Sequence, residues 1–411
     1  MDYINRAAEK LAKEAVETYK SILVTGARQT GKSTMLEALF PDRKVVTFDD
    51  QFAEDQAKNN PTEFIDLNPP PVTYDEVQYV PSLFRYIKIA CDASKDTGLF
   101  CLTGSQPFKL MKTASESLAG RVSIIELSTL SLREMQKTDF DQSFVPTMEY
   151  VKARQKSAKK PKNIWSIIHR GGYPALQNPK MNWERFFSDY IKTYLERDVR
   201  ALSAVQDLNT FRRFMIACAA RTGQMLNYSN IASEISKDAD TVKNWISILE
   251  ASGIIYILEP YCPSVLNRAI KTPKLYFRDT GLACYLTRWL TPETLANGAM
   301  AGEIFETYVI SEILKSYSNA GIDYHYCVSY YRGKDKKNSS ESEIDFLIEK
   351  DGLLYPVEIK KTSKPAADMT SAFTILDNIP EKKRGTGAVV CMCSAPGVLR
   401  ENILAIPVWY V

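Results

Sequence analysis

The chain predicts a multidomain α/β fold: a parallel-sheet unit at the N-terminal end, a helical middle, and a second α/β unit at the C-terminal end. Three observations carry this. At 411 residues the chain exceeds what one core usually organises, so two or three domains are expected. Strand and helix patterns alternate through about the first 130 residues, which means a parallel sheet with crossover helices. Near the other end, Asp351-Gly352 separates two alternating apolar runs, the signal of a two-residue hairpin.

The N-terminal pattern gives a strand at 21–25, a helix at 32–40, a strand at 44–48 and a polar helical stretch to about residue 60. A strand at 72–74, a helix at 83–93 and strands at 100–103 and 122–127 follow. Between the first strand and the first of these helices, Gly26-Ala27-Arg28-Gln29-Thr30-Gly31-Lys32-Ser33 fits G-x-x-x-x-G-K-[ST]. The glycines let successive backbone N–H groups curl inward around phosphates. Lys32 reaches the β- and γ-phosphate oxygens, the Ser33 hydroxyl meets Mg²⁺, and the helix N-terminus, with Thr34 in its first turn, faces the anion. Residues Gly26 to Thr34 are therefore the candidate nucleotide-binding loop. Asp75, at the C-terminal end of a strand, would help hold the Mg²⁺ shell, and Glu76 would orient or deprotonate the attacking water. Ser105, with Thr103 as a substitute, is placed to sense the γ-phosphate. Arg121, just before the last strand, is a candidate for stabilising transition-state charge, either in its own chain or on a neighbour.

These motifs, together with Leu118-Ala119-Gly120-Arg121 and Leu130-Ser131-Leu132-Arg133-Glu134, resemble the prokaryotic AAA-type ATPases that carry a C-terminal DUF4143 region. The resemblance continues through Gly171-Gly172-Tyr173-Pro174, Tyr194-Leu195-Glu196-Arg197-Asp198-Val199 and Lys274-Leu275-Tyr276-Phe277-Arg278-Asp279-Thr280-Gly281-Leu282. It implies an AAA/ASCE-type P-loop domain at 1–135 that binds ATP with Mg²⁺ and hydrolyses it, and a DUF4143 region over about 190–365. The short, partly polar strand 72–74 follows three prolines, which leaves the metal geometry less defined than the nucleotide site.

Composition limits the partners. Lys plus Arg number 52 against 49 Asp plus Glu, so any nucleic-acid binding must come from local patches. The eight cysteines show no two-plus-two metal spacing and read as small buried hydrophobes in a reducing cytosol. The first 20 residues form a charged amphipathic pattern unlike a signal peptide, and no apolar run approaches a bilayer span. A soluble, cytoplasmic protein without a membrane partner is expected.

A helical connector is expected at 136–205. Its basic run, 152–162, reads as a linker or exposed helix face, and His169 as structural. At 206–262 helices at 211–222, 229–235 and 241–251, a polar turn at 236–240 and a strand at 254–258 spell a winged helix-turn-helix. Thr241, Lys243 and Asn244 would head a DNA-reading helix, opposed by Asp238, Asp240 and Glu250.

The 263–411 unit carries the second constellation. With Asp351-Gly352 as the turn, residue 345 lies opposite 358 and 343 opposite 360. Alternation then puts Glu343, Asp345, Glu358 and Lys360 on one face and Ile344, Phe346, Ile348, Val357 and Ile359 on the other. This is similar to the PD-(D/E)xK nuclease core. The resemblance implies Mg²⁺ or Mn²⁺ on Asp345, Glu358 and a helix glutamate, here Glu306 or else Glu303 from a helix at 303–315, with Lys360 positioning water. A further core strand is expected at 386–393. Two functional readings follow: an ATPase coupled to a nuclease-like domain acting on DNA or another nucleic acid, or an ATP-driven regulatory switch that binds a protein partner. An oligomer fits either.

Overall fold

A computed structural model describes residues 3–105, 117–194, 207–262, 272–334, 341–379 and 382–411. The motif positions Leu195 to Val199 and the expected domain limits at 205/206 lie outside the described residues.

The N-terminal unit is a five-stranded parallel sheet in the order β2-β3-β4-β1-β5. Its strands are β1 (Ser21–Thr25), β2 (Lys44–Thr47), β3 (Val72–Asp75), β4 (Phe100–Gly104) and β5 (Val122–Glu126). β1 and β4 are buried at every position, as central parallel strands covered on both faces must be. β3 is anchored by Tyr74, whose ring lies 5.7–5.8 Å from those of Phe48, Phe64 and Phe100. Thr25 pairs with Gly104 on one side and Glu126 on the other, so the carboxyl ends of these strands share one edge.

From β5 the chain enters a short helix, Leu132–Met135, closed by a capping box between Ser131 and Glu134. Helices Met148–Gln155, Ile164–Arg170 and Trp183–Tyr194 follow. The basic run is not all solvated. Arg154 is fully buried and donates to the carbonyls of Trp409 and Tyr410, each at 3.3 Å, so it ties this helix to the end of the chain. His169 is structural: its Nε2 lies 2.8 Å from the Trp289 carbonyl oxygen and its ring stacks on Trp183.

Helices Leu208–Ala219, Tyr228–Ile235 and Ala239–Ala251 come next, with a small antiparallel sheet ordered β6-β8-β7: β6 (Gln224–Met225), β7 (Ile255–Leu258) and β8 (Lys274–Phe277). The first and third helices begin two or three residues ahead of the periodic pattern. Asp207 and Asp238 act as N-caps there, accepting the Thr210 and Thr241 amides at 3.0 and 2.7 Å.

The C-terminal unit is a seven-stranded mixed sheet in the order β14-β15-β13-β11-β10-β9, with β12 beside β11. These are β9 (Val328–Lys334), β10 (Glu341–Lys350), β11 (Leu353–Lys360), β12 (Lys383–Arg384), β13 (Gly387–Cys391), β14 (Gly397–Arg400) and β15 (Ile403–Pro407). The helix Ala301–Ser318 is buried nearly all round and joins this sheet to the rest of the core. Asp351-Gly352 forms the expected turn, and pairing runs from Lys350–Leu353 up to Phe346–Val357.

Arg6, just ahead of the helix Glu9–Thr18, ties the start of the chain to the loop that holds Thr30. Its buried guanidinium donates to Glu134 at 2.9 Å, to the Thr30 carbonyl at 2.7 Å and to the Ser128 carbonyl at 2.7 Å. Arg6→Met should therefore cost about 3–5 kcal/mol, because Glu134 keeps its charge in a buried place without its partner. The check is a denaturant titration; an unfolding midpoint equal to that of the parent protein would contradict it.

Candidate functional site

Two clusters stand out. The first gathers at the carboxyl edge of the parallel sheet. Gly26 has φ 143°, and a Cβ there would come 2.2 Å from the Leu127 carbonyl oxygen, so only glycine lets the loop pass β5. Lys32 is buried and its Nζ donates to the loop's own carbonyls, Gly26 at 3.2 Å and Ala27 at 2.9 Å. The Ser33 hydroxyl donates to Asp75 Oδ1, which also accepts Thr103 Oγ1 at 2.5 Å, while Thr47 Oγ1 donates to Oδ2 at 3.2 Å. Three hydroxyls thus converge on one carboxylate at the end of β3. Next to it Glu76 holds φ 56°, an uncommon conformation for a residue with a side chain, fixed by its N–H donating to Thr103 Oγ1 at 3.1 Å. Its carboxylate accepts Ser105 Oγ at 3.0 Å and the Gln78 amide. Ser105 and Glu76 therefore stand together beside Asp75. Arg28 reaches the Tyr79 hydroxyl at 3.3 Å.

Arg121 is not part of this group. It precedes β5, whose first residue pairs with Ser21, whereas the loop leaves β1 after Thr25. At a rise of ~3.3 Å per residue the arginine is about 15 Å away, at the opposite edge of the sheet. There it forms a two-pronged pair with Asp92 at 2.5 and 3.1 Å. The pattern of strands told of an arginine before β5 but not which edge it would occupy relative to the loop.

Residues from the middle of the chain close the loop's other side, which sequence spacing does not reveal. Gly253, Arg278 and Asp279 line a cavity of about 20 Å³ with Gly26, Ala27 and Thr30, little more than one water's room. Arg278 donates to Glu126 at the end of β5 and to the Tyr324 hydroxyl, which itself donates to Glu126 at 2.8 Å.

The second cluster sits where β10 and β11 splay. The ladder stops at Phe346–Val357, one pair short of 345 and 358. On the other side, β10 carries one extra residue against β9 between Ile344 and Leu347, a bulge. Strict alternation fails there: Ile344 packs with Leu347, Leu354 and Phe373, on the face opposite Phe346, Ile348, Val357 and Ile359. Asp345 still reaches across to β11. Its Oδ2 accepts the Ile359 N–H at 2.8 Å and lies 3.2 Å from Lys360 Nζ, which is 2.5 Å from Glu358 Oε1. Glu306, near the start of the long helix, accepts the Tyr276 hydroxyl at 2.6 Å and lies 3.5 Å from Lys274 Nζ. Lys274 is also 2.5 Å from Glu343, so that carboxylate answers to Lys274 and not to Lys360. Lys274 and Tyr276 were not legible as site residues, because no motif spacing links them to the hairpin.

Burial first, then the Asp345 charge, push Glu306 up to about 7 and Glu358 up to about 8. Among the described residues no three His, Cys, Asp or Glu side chains are gathered tightly enough to hold a metal. The donor set still suits a hard cation: all its ligands would be carboxylate oxygens, and Glu358 Oε2 is buried with no hydrogen-bond partner.

Residues 18–136 match the family described as AAA domain, 161–293 a domain of unknown function (DUF8612), and 301–411 a domain of unknown function (DUF4143). The parallel sheet and the loop described above lie within the stretch that is similar to the AAA domain family. The chain is 25% identical over 383 residues to the uncharacterized protein Rv2008c of Mycobacterium tuberculosis, covering 90% of this chain and 77% of the relative. The same values hold for the uncharacterized protein Mb2031c of Mycobacterium bovis. Among solved structures, the Walker-type ATPase paby2304 of Pyrococcus abyssi is similar at 15% identity and a TM-score of 0.43, over 69% of this chain and 96% of that one. AMPPCP-bound DnaA from Aquifex aeolicus is similar at 17% identity and a TM-score of 0.30, over 61% and 89%. Among the described residues no helix is long and apolar enough to cross a membrane.

The raised carboxylates set a pH dependence. Between the ordinary value of 4.5 and about 7 to 8, the folded chain holds protons that the unfolded chain has released. Their stabilising contribution is complete below pH 4.5 and is lost as pH rises through the folded values. In a metal-free buffer, stability to urea should thus fall between pH 5 and 8 more steeply in the parent than in Asp345→Asn, which lacks the charge that raises both groups. Equal slopes would show that the carboxylates do not interact.

Proposed function

We propose that this protein is a Mg²⁺-dependent ATPase whose P-loop domain works with a C-terminal PD-(D/E)xK-like domain that acts on or recognises nucleic acid. The observation that carries the ATPase reading is the contact of Ser33 with Asp75 beside a Glu76 held by Ser105. These are the groups that hydrolysis needs on one edge of one sheet. Residues Gly26 to Thr34 would hold the phosphates, with Lys32 turning from its own loop carbonyls to them. Ser33 and Asp75 would hold Mg²⁺, which when bound supplies charge neutralisation on the phosphates. Glu76 would take the proton of the attacking water, and Ser105 keeps its carboxylate in place. Arg121 could contribute only on a neighbouring molecule, given its place at the far edge of the sheet.

At the second cluster Asp345, Glu358 and Glu306 would hold Mg²⁺ or Mn²⁺, and Lys360 would orient water toward a phosphodiester. The middle helices with β6, β7 and β8 have the element order of a winged helix. Lys243 on the third of these helices is 3.0 Å from Asp240, a neighbour that offsets its charge. That pairing favours the second reading, in which this unit docks on a protein and nucleotide occupancy acts as a switch. Domain limits of 1–135, 136–205, 206–262 and 263–411, and a cytoplasmic location, belong to the same proposal.

Lys32→Ala should weaken Mg-ATP binding about 100-fold, since the P-loop's phosphate cation is lost; calorimetry with an unchanged Kd would remove the assignment. Glu76→Gln should keep ATP affinity while turnover falls about 100-fold or more. Steady-state hydrolysis equal to the parent's would take Glu76 out of the mechanism. Metal-dependent cleavage of DNA and RNA, assayed on the same preparation, separates the two readings. Cleavage lost in Asp345→Asn supports the nuclease, and its absence from the parent supports the switch.

A further inference from the structure

We infer that Lys274 is a positioning residue that governs whether the C-terminal acidic cluster takes up a divalent cation; this rests on the metal reading of that cluster. Lys274 comes from β8 of the middle sheet, outside the strand pair that carries the motif. Its side chain is only 5% exposed, and its ammonium lies 2.5 Å from Glu343 and 3.5 Å from Glu306. Lys360 does the same on the other side, 2.5 Å from Glu358 and 3.2 Å from Asp345.

The four carboxylates are thereby sorted into two pairs, each drawn to its own ammonium. Tyr276 reinforces the sorting, because its hydroxyl donates 2.6 Å to the same Glu306 oxygen that faces Lys274. This accounts for the lack of a converged three-ligand group among the described residues. When all four carboxylates are ionised, the two ammonium groups leave two formal negative charges, which one divalent ion would balance. One ligand atom already waits for it: Glu358 is 7% exposed and its Oε2 has no partner. Lysine and metal therefore compete for Glu306. A single buried charge removed at this distance changes cation attraction strongly.

Lys274 is unlike Lys360 in this respect. Lys360 belongs to the same strand as Glu358 and stays with its carboxylates when they move, whereas Lys274 is held by a different sheet. Its contact with Glu306 lasts only as long as β8 and the long helix keep their spacing.

The test is Mn²⁺ binding to the full-length chain in the absence of nucleotide, read as free Mn²⁺ by electron paramagnetic resonance, in an Asp75→Asn background that removes the metal-holding carboxylate beside the P-loop. Lys274→Met should tighten Mn²⁺ binding about tenfold or more. Lys274→Gln should act in the same direction and carries the test if the methionine variant does not fold, while Lys274→Arg should match the background. Affinity unchanged or weakened in folded Met and Gln variants, with background binding that Asp345→Asn abolishes, overturns the role of Lys274 and leaves the metal reading intact. No binding in the background or in either charge-removing variant overturns both.

Discussion

The fold depends most on a buried junction made by two adjacent residues, Arg278 and Asp279, where β8 ends. Arg278 crosses to Glu126 at the carboxyl end of β5 and to Tyr324, which accepts from it and donates in turn to Glu126. Asp279 turns the other way. It accepts the Gly172 N–H at 2.8 Å and caps the helix Thr280–Leu286 through the Leu282 N–H at 3.1 Å. The Arg278 carbonyl accepts Ser311 Oγ at 2.6 Å from the long helix. Four separate stretches of chain thus meet on one dipeptide, and both terminal nitrogens of Arg278 and both oxygens of the Asp279 carboxylate are paired. Such a junction is expensive to break in part, because a buried charge without its partner keeps its desolvation penalty. Gly171 and Gly281 are small for this reason: a Cβ on Gly171 would sit 2.4 Å from the Asp279 carboxylate, and one on Gly281 2.6 Å from the Arg170 carbonyl.

The helix Ala301–Ser318 extends that junction into a spine. Glu312 accepts the Leu132 N–H at 2.7 Å and Lys315 donates to the Leu130 carbonyl at 3.0 Å, close to the capping box that also holds Arg6. Thr307 meets Thr222 from the middle unit at 2.8 Å, and Tyr317 donates to the Phe144 carbonyl at 2.9 Å. Nearer its start, Glu306 belongs to the acidic cluster. One rigid element therefore touches the loop domain, the connector, the middle sheet and the C-terminal sheet. Several of its buried polar residues, Thr307, Ser311, Glu312, Lys315 and Tyr317 among them, bond to other units, in keeping with a helix that has little solvent face.

What the sequence made legible follows from the range of the forces involved. The loop, the end of β3 and the Asp351-Gly352 turn rest on contacts between near neighbours or on strand ends that a parallel sheet must align, and spacing alone locates them. The bulge at Asp345 is a different matter. It arises from the pairing of β10 with β9, so no alternation within β10 and β11 could announce it, yet it decides which apolar side chains share a face. Arg121 lies apart from the loop of its own chain for a topological reason: a residue before a parallel strand lies at the amino edge, away from a loop that leaves the carboxyl edge of its neighbour. Arg154, inside a run of lysines, was hidden by composition. Charge density suggested solvent, while the free carbonyls at residues 409 and 410 supplied the acceptors that bury it.

Lys274 marks the limit of such reading. Its partners are 32 and 69 residues away, on a helix and a strand of other units, and only the junction at Arg278 and Asp279 brings them into reach. Residues 274, 276 and 278 follow the two-residue period of a strand, so one side of β8 presents Lys274 and Tyr276 to the acidic cluster and Arg278 to the end of β5. The same short strand thus contacts the groups beside the nucleotide loop and the groups of the second site. A change in the spacing between β5 and β8 would have to be absorbed by the Arg278 contacts or passed along the strand to Glu306. The Arg278 side chain ties the end of β8 to β5 and its carbonyl ties it to the long helix through Ser311, so the strand stands between the two sites.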